Sequence, residues 1–93
     1  ITAENANTTC TSGITNMSSL FNHEIDFNED IQSWDVSNVT DMSNMFRYAM
    51  RFNRDISKWD VSKVTDMTAM FNHCESFKRN ISDWKSHWNI YYL

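Results

Sequence analysis

The stretch FNRDISKWDVSKVTDMTAMF at residues 52–71 repeats FNEDIQSWDVSNVTDMSNMF at residues 27–46 almost residue for residue, one step of 25 along the chain. The same step aligns Phe21, Phe46 and Phe71, then Phe27, Phe52 and Phe77, then Ile31, Ile56 and Ile81, then Trp34, Trp59 and Trp84, and also Met17, Met42 and Met67. TCTSGIT near the N-terminus falls into register with WDVSNVT through Ile14, Thr15 and Asn16. A fixed period of this size points to stacked units, none of which can bury its apolar residues alone. The 93 residues divide as one repeat domain, with 1–13 an N-terminal cap or partial repeat, 14–84 about three repeats, and 85–93 a C-terminal cap.

Within a unit, Trp59-Asp60-Val61 alternates apolar, polar, apolar, which predicts a short strand with one buried face. Met67, Met70, Phe71 and Cys74 follow at i, i+3, i+4 and i+7, the spacing of one helical stripe, matched by Met42, Met45, Phe46 and Ala49. Thr40 and Thr65 stand where helix N-caps belong, with Asp41 and Asp66 in the first turn. The Asn- and Asp-rich segment after Phe27 and Phe52 suits a return turn. These readings predict an α/β fold: a short right-handed solenoid of 25-residue leucine-rich-repeat-like units, with parallel strands on one face and short helices on the other.

The pattern DISxWDVSxVTDMSxMFxxAxxFN, covering about residues 14–84, resembles the degenerate 25-residue repeat of BspA-like leucine-rich-repeat surface proteins of bacteria, including mycoplasma surface lipoproteins. The resemblance implies a non-enzymatic extracellular or cell-surface module used in adhesion or protein interaction, and it carries no catalytic residues over. Lys78, Asn80 and Lys85 depart from the Asn, Asp and Asp of earlier copies, and SHWNIYYL leaves the register. Atypical ends suit capping units. Trp88, Ile90, Tyr91, Tyr92 and Leu93 read either as a cap or as a β-prone edge through which Trp88, Ile90, Tyr91 and Tyr92 mediate self-association.

Polar residues flanking the strand positions form three rows: Ser33, Lys58 and Asp83; Asp35, Asp60 and Lys85; Ser37, Ser62 and His87. On a strand face these would stand in ladders about 4.8 Å apart with largely answered charges, and Ser33, Asp35, Ser37, Lys58, Asp60, Ser62, Asp83 and Lys85 make up the candidate binding face. Asp35 beside Asp60 raises calcium, but two carboxylates fall short of the six to eight oxygens it takes. The Asn28/Asp30 and Asn53/Asp55 turns offer further oxygens, and turn hydrogen bonding accounts for them. His23 and His73 are two units apart, about 10 Å, too far to share one zinc ion. Cys10 and Cys74 fall on different parts of the unit more than two units apart and are expected as free thiols.

A net charge of −4, with basic residues scattered, opposes nucleic-acid binding. No apolar run approaches the roughly 18 residues of a membrane helix, and no leader-like segment opens the chain. Nearly every Ser, Asp and His is explained by its place in the repeat, which argues against a catalytic constellation. Sequons at Asn7, Asn16, Asn38 and Asn80 are what a chain rich in Asn, Ser and Thr produces by chance. The sequence thus points to a non-enzymatic, cofactor-free, secreted or surface module that binds a protein or glycan, or to a structural spacer or self-associating array segment without a ligand of its own.

Overall fold

The computed structural model describes residues 1–87, with side chains through Trp84. Its 25-residue units lie on one another in register, but in a conformation other than the one the apolar spacing suggests. The regular elements among the described residues are two 3-10 turns, Ala6–Thr8 and Ser82–His87, and two isolated parallel bridges, Asn16 to Asp41 and Asp41 to Asp66. There is no α-helix and no sheet among them. The α/β solenoid of leucine-rich-repeat-like units is therefore overturned: the chain is a small compact body of irregular turns.

The segment read as a helix shows why. Its N–H groups divide by parity. Those of Met17, Ser19, Phe21 and His23 donate to the carbonyls of Asp41, Ser43, Met45 and Arg47 in the next unit, at 2.8–2.9 Å. Those of Met42, Asn44, Phe46 and Tyr48 donate in turn to Asp66, Thr68, Met70 and Asn72, each at 2.9 Å. The intervening N–H groups close local turns three residues back, as in Met45 to Met42, Arg47 to Asn44 and Ala49 to Phe46. An isolated helix of two turns is marginal, because nucleation costs more than so few bonds return. Turns that send every second N–H to a neighbouring unit leave no such helix ends to satisfy.

This path requires left-handed backbone at Ser19, His23, Asn44, Tyr48, Ala69 and His73, with φ between 55° and 64°. Asn and His tolerate that region better than most residues, whereas Ala pays a steric cost of about 1–2 kcal/mol. Thr40 and Thr65 are not N-caps: their N–H groups donate to the carbonyls of Thr15 and Thr40 at 2.8 Å, and their hydroxyls to the same carbonyls at 3.2 Å. Asp41 and Asp66 meet no helix dipole. Each carboxylate instead accepts the N–H two residues on, from Ser43 and Thr68.

The Trp-Asp-Val segment keeps the predicted alternation of burial without being a strand. Trp34, Val36, Trp59 and Val61 are buried, Asp35 and Asp60 are exposed, and Val39 and Val64 turn back on Val36 and Val61.

Register also sets the core. Phe21, Phe46 and Phe71 stack at 5.7 and 5.5 Å between centroids, Phe27, Phe52 and Phe77 at 5.7 and 5.8 Å, and the three Trp rings at 6.2 Å, within 4° of parallel. Within a unit the two Phe columns touch, at 3.8 Å for Phe21 and Phe27. Two of the three indoles also find a backbone acceptor 28 residues earlier: Trp34 Nε1 donates to Ala6 O at 2.8 Å and Trp59 Nε1 to Ile31 O at 3.1 Å, whereas Trp84 Nε1 is buried without a partner among the described residues. Residues 1–13 thus cover the first unit as residues 26–38 cover the second, with Thr11 buried and donating its hydroxyl to Asp35 O. The tail residues Trp88, Ile90, Tyr91 and Tyr92, read as cap or edge, lie outside the described residues.

Two substitutions separate these contributions. Phe46→Ala empties the centre of one column and is expected to cost about 3–5 kcal/mol, a large share of the roughly 5–15 kcal/mol a domain has. Ala69→Gly relieves a left-handed alanine outside the core cluster and is expected to raise the melting temperature by several degrees, at about 4–8 °C per kcal/mol for a chain this size. A calorimetric melt of each checks both, and a drop in Tm for Ala69→Gly would refute the strain.

Candidate functional surface

Lys85 aside, the polar residues foreseen as a strand face are exposed or half-buried, but the structure gives several of them turn-closing work. The Asp35 carboxylate accepts from Ser37 twice, from its N–H at 3.0 Å and its hydroxyl at 2.6 Å. Asp60 accepts the Ser62 N–H at 3.0 Å. The same two-residue bond recurs at Asp30, Asp55 and Asn80, where Gln32, Ser57 and Ser82 donate, and again at Asn16, Asp41 and Asp66. This is the Asx turn, in which a side-chain oxygen stands in for a backbone carbonyl.

Of the charge ladder, Lys58 and Asp83 make no ion pair with each other among the described residues. Ser33, Lys58 and Asp83 are exposed, and among the described residues the ion pair is Arg51 with Asp26, at 3.2 Å on an exposed edge. The side chain of Lys85 lies outside those described. The oxygens considered for calcium are also committed: Asn28 and Asn53 accept the N–H of Asn53 and Lys78 one unit on. No group of three or more His, Cys, Asp or Glu converges among the described residues.

The turn bonds stabilise ionised carboxylates. Donors from Ser37, led by its hydroxyl, hold Asp35 below the usual range; the Ser57 N–H does the same for Asp55 and the Thr68 N–H for Asp66. A folded-state pKa below the unfolded value contributes stability above the unfolded pKa, near 4, and loses it as the pH falls through the folded value.

The cysteines differ in the same terms. Cys10 is exposed, and the Ser12 hydroxyl, 3.3 Å from its sulfur, lowers its pKa. Cys74 is buried, donates to Ala49 O at 3.1 Å, and burial raises its pKa to about 11. Both are free.

A feature that sequence reasoning missed lies on the turn segment. His23, Tyr48 and His73 stack as a surface column, with centroids 4.7 and 4.5 Å apart. Arg47 lies 4.7 Å above the Tyr48 ring and approaches His23 Nε2 at 3.3 Å. All three ring residues have positive φ. The aligned spacing of 23, 48 and 73 was visible; the conformation that makes a column of it was not. Beside the first unit, Ala3, Glu4 and residues 24–29 line an open, acid-rimmed cleft of about 340 Å³ that includes the exposed Ile25.

The family model described as "Mycoplasma protein of unknown function, DUF285" matches residues 2–90. The chain belongs to that family. The match supports the mycoplasma side of the resemblance seen in the sequence and a surface-associated repeat protein, and it carries no BspA-like leucine-rich-repeat assignment. Comparison with curated proteins and with solved structures gave no match.

Two measurements test this chemistry. Asp35→Asn, Asp55→Asn and Asp66→Asn together keep the turn acceptors and remove the charges, so the fall in Tm from about pH 5 toward pH 2 should flatten relative to the parent. Iodoacetamide should label Cys10 readily and Cys74 only after denaturation, read by intact mass.

Proposed function

We propose that this chain is a non-enzymatic interaction module of a bacterial cell surface that binds a protein or glycan through its outward side chains. The observation that carries this is the His23, Tyr48 and His73 column with Arg47. It places three rings and a guanidinium together on the surface, where the core has no use for them. Tyr48 is stacked on both faces, and His23 and His73 each on one. What they offer outward is ring edges, a phenol hydroxyl, imidazole nitrogens and the remaining guanidinium donors, a set suited to polar and anionic groups. Ser33, Lys58 and Asp83 supply a second exposed patch for the same role. Membership of the family supports the surface setting.

A spacer with no ligand is the competing reading, and the two differ in one experiment. The chain and the Arg47→Glu and Tyr48→Ala variants are applied to arrayed extracellular-matrix proteins and glycans. The interaction reading expects saturable binding that falls at least about tenfold in Arg47→Glu, with a Tm near the parent's because the residue is outside the core. Absence of binding to every arrayed probe, or binding indifferent to both substitutions and to Lys58→Glu, would favour the spacer.

A further inference from the structure

The hydrogen-bond ladder between units ends in two complementary rows. In the last unit the N–H groups of Met67, Ala69, Phe71 and His73 meet no acceptor among the described residues, although their equivalents in both earlier units do. In the first unit the carbonyls of Asn16, Ser18, Leu20 and Asn22 receive no donor among the described residues, although their equivalents Asp41, Ser43, Met45 and Arg47 do. Asn22 Oδ1 is buried there without a partner. Both rows belong to the same segment of the repeat, with the same left-handed residues, Ser19 and His23 at one end and Ala69 and His73 at the other.

The rest of the repeat is matched in a different way. Residues 1–13 occupy, against the first unit, the place that residues 76–87 would take if they came from a preceding copy. Ala6 stands where Ile31, Ile56 and Ile81 stand, and Thr9 where Trp34, Trp59 and Trp84 stand. The arm meets the Trp34 indole with Ala6 O as Ile31 O meets Trp59. It does so with a methyl in place of an isoleucine and no ring on the Trp column. At the other end Phe71, Phe77 and Ile81 are only half-buried, whereas Phe46, Phe52 and Ile56 are fully buried.

From these observations we propose that copies of this chain assemble end to end by exchange. Residues 76–84 of one copy displace residues 1–13 of the next. Met67, Ala69, Phe71 and His73 then donate to Asn16, Ser18, Leu20 and Asn22 of that copy. Its Trp34 indole transfers from Ala6 O to the incoming Ile81 O, and the Phe and Trp columns continue across the junction. A second copy fits better than an unrelated extended peptide. The acceptors that these donors meet twice within the chain are carbonyls of the same turn sequence, and an extended strand does not reproduce that path. The contact is heterologous, so it gives open series of oligomers rather than a closed dimer. It rests on backbone bonds and apolar columns, so salt does not dissolve it. The inference is independent of the ligand-binding reading.

The test uses the whole 93-residue sequence. Sedimentation across micromolar to millimolar concentration is expected to show a progressive series of oligomers that persists in high salt. Hydrogen exchange at the two ends of that range gives the structural readout. The amides of Met67, Ala69, Phe71 and His73 should gain protection as assembly proceeds, while those of Thr8 and Thr9 in the displaced arm lose it. Leu20→Lys on the accepting edge should weaken association at least about tenfold. Should that variant fold poorly, the exchange pattern of the parent chain decides alone. A monomer at every concentration would overturn the proposal, as would oligomers in which those four amides exchange at the monomer's rate.

Discussion

Everything in this structure depends on how each turn segment divides its backbone hydrogen bonds, one N–H outward to the next unit and the following one inward to its own turn. A helix spends all its N–H groups on itself, and a strand spends them on neighbours. The alternation here does half of each, so a unit has neither element yet leaves few backbone groups unpaired inside the stack. It also fixes the register. A slip of one residue would set the outward N–H groups against residues whose carbonyls are engaged in their own turns, and would shift every ring out of its column. The columns and the bonds therefore enforce the same alignment, and the left-handed residues that make the alternation possible are held in place by both.

The repeat, its length and most of the core were legible in the sequence, because burial follows from apolar periodicity whatever the backbone does. Met42, Met45, Phe46 and Ala49 are all fully buried, as a helical stripe would have had them. The element type was not legible from the same positions. Apolar residues at i, i+3, i+4 and i+7 recur on one side of a helix, but consecutive three-residue turns bring them to one side as well. The usual markers of left-handed turns are glycines, and this chain has one, Gly13, outside the turn segments. Ser19, Tyr48 and Ala69 give no sign of positive φ. Asn44, His23 and His73 are residue types that tolerate it, and only in retrospect does their alignment look like a signal.

The Asx turns were partly visible. The string Asp-x-Ser or Asp-x-Thr recurs at Asp35, Asp41, Asp55, Asp60 and Asp66, each carboxylate accepting from the residue two positions on. The Asn/Asp-rich return turns announce it in the sequence, whereas apolar spacing alone puts Asp35 and Asp60 on a strand face and Asp41 and Asp66 at helix starts. The difference matters for function. A carboxylate that closes a turn is an anchored negative charge with part of its hydrogen-bonding capacity committed inward, and its pKa records that commitment at Asp35, Asp55 and Asp66. Such groups orient the backbone more than they solicit a cation.

On the interaction reading proposed above, recognition would come from side chains that vary while the backbone repeats. The turn segment shows the principle. Position by position, Ser19, Asn44 and Ala69 share one conformation, and so do His23, Tyr48 and His73, so the identity of a residue can change without moving its neighbours. Arg47 demonstrates the consequence: its aligned residues are Asn22 and Asn72, yet it seats itself on the Tyr48 ring and reaches His23 with no adjustment of the ladder beneath. A scaffold that fixes backbone geometry through main-chain bonds and buried rings leaves its outward positions free to diverge, and a surface built from them is set by sequence substitution rather than by fold.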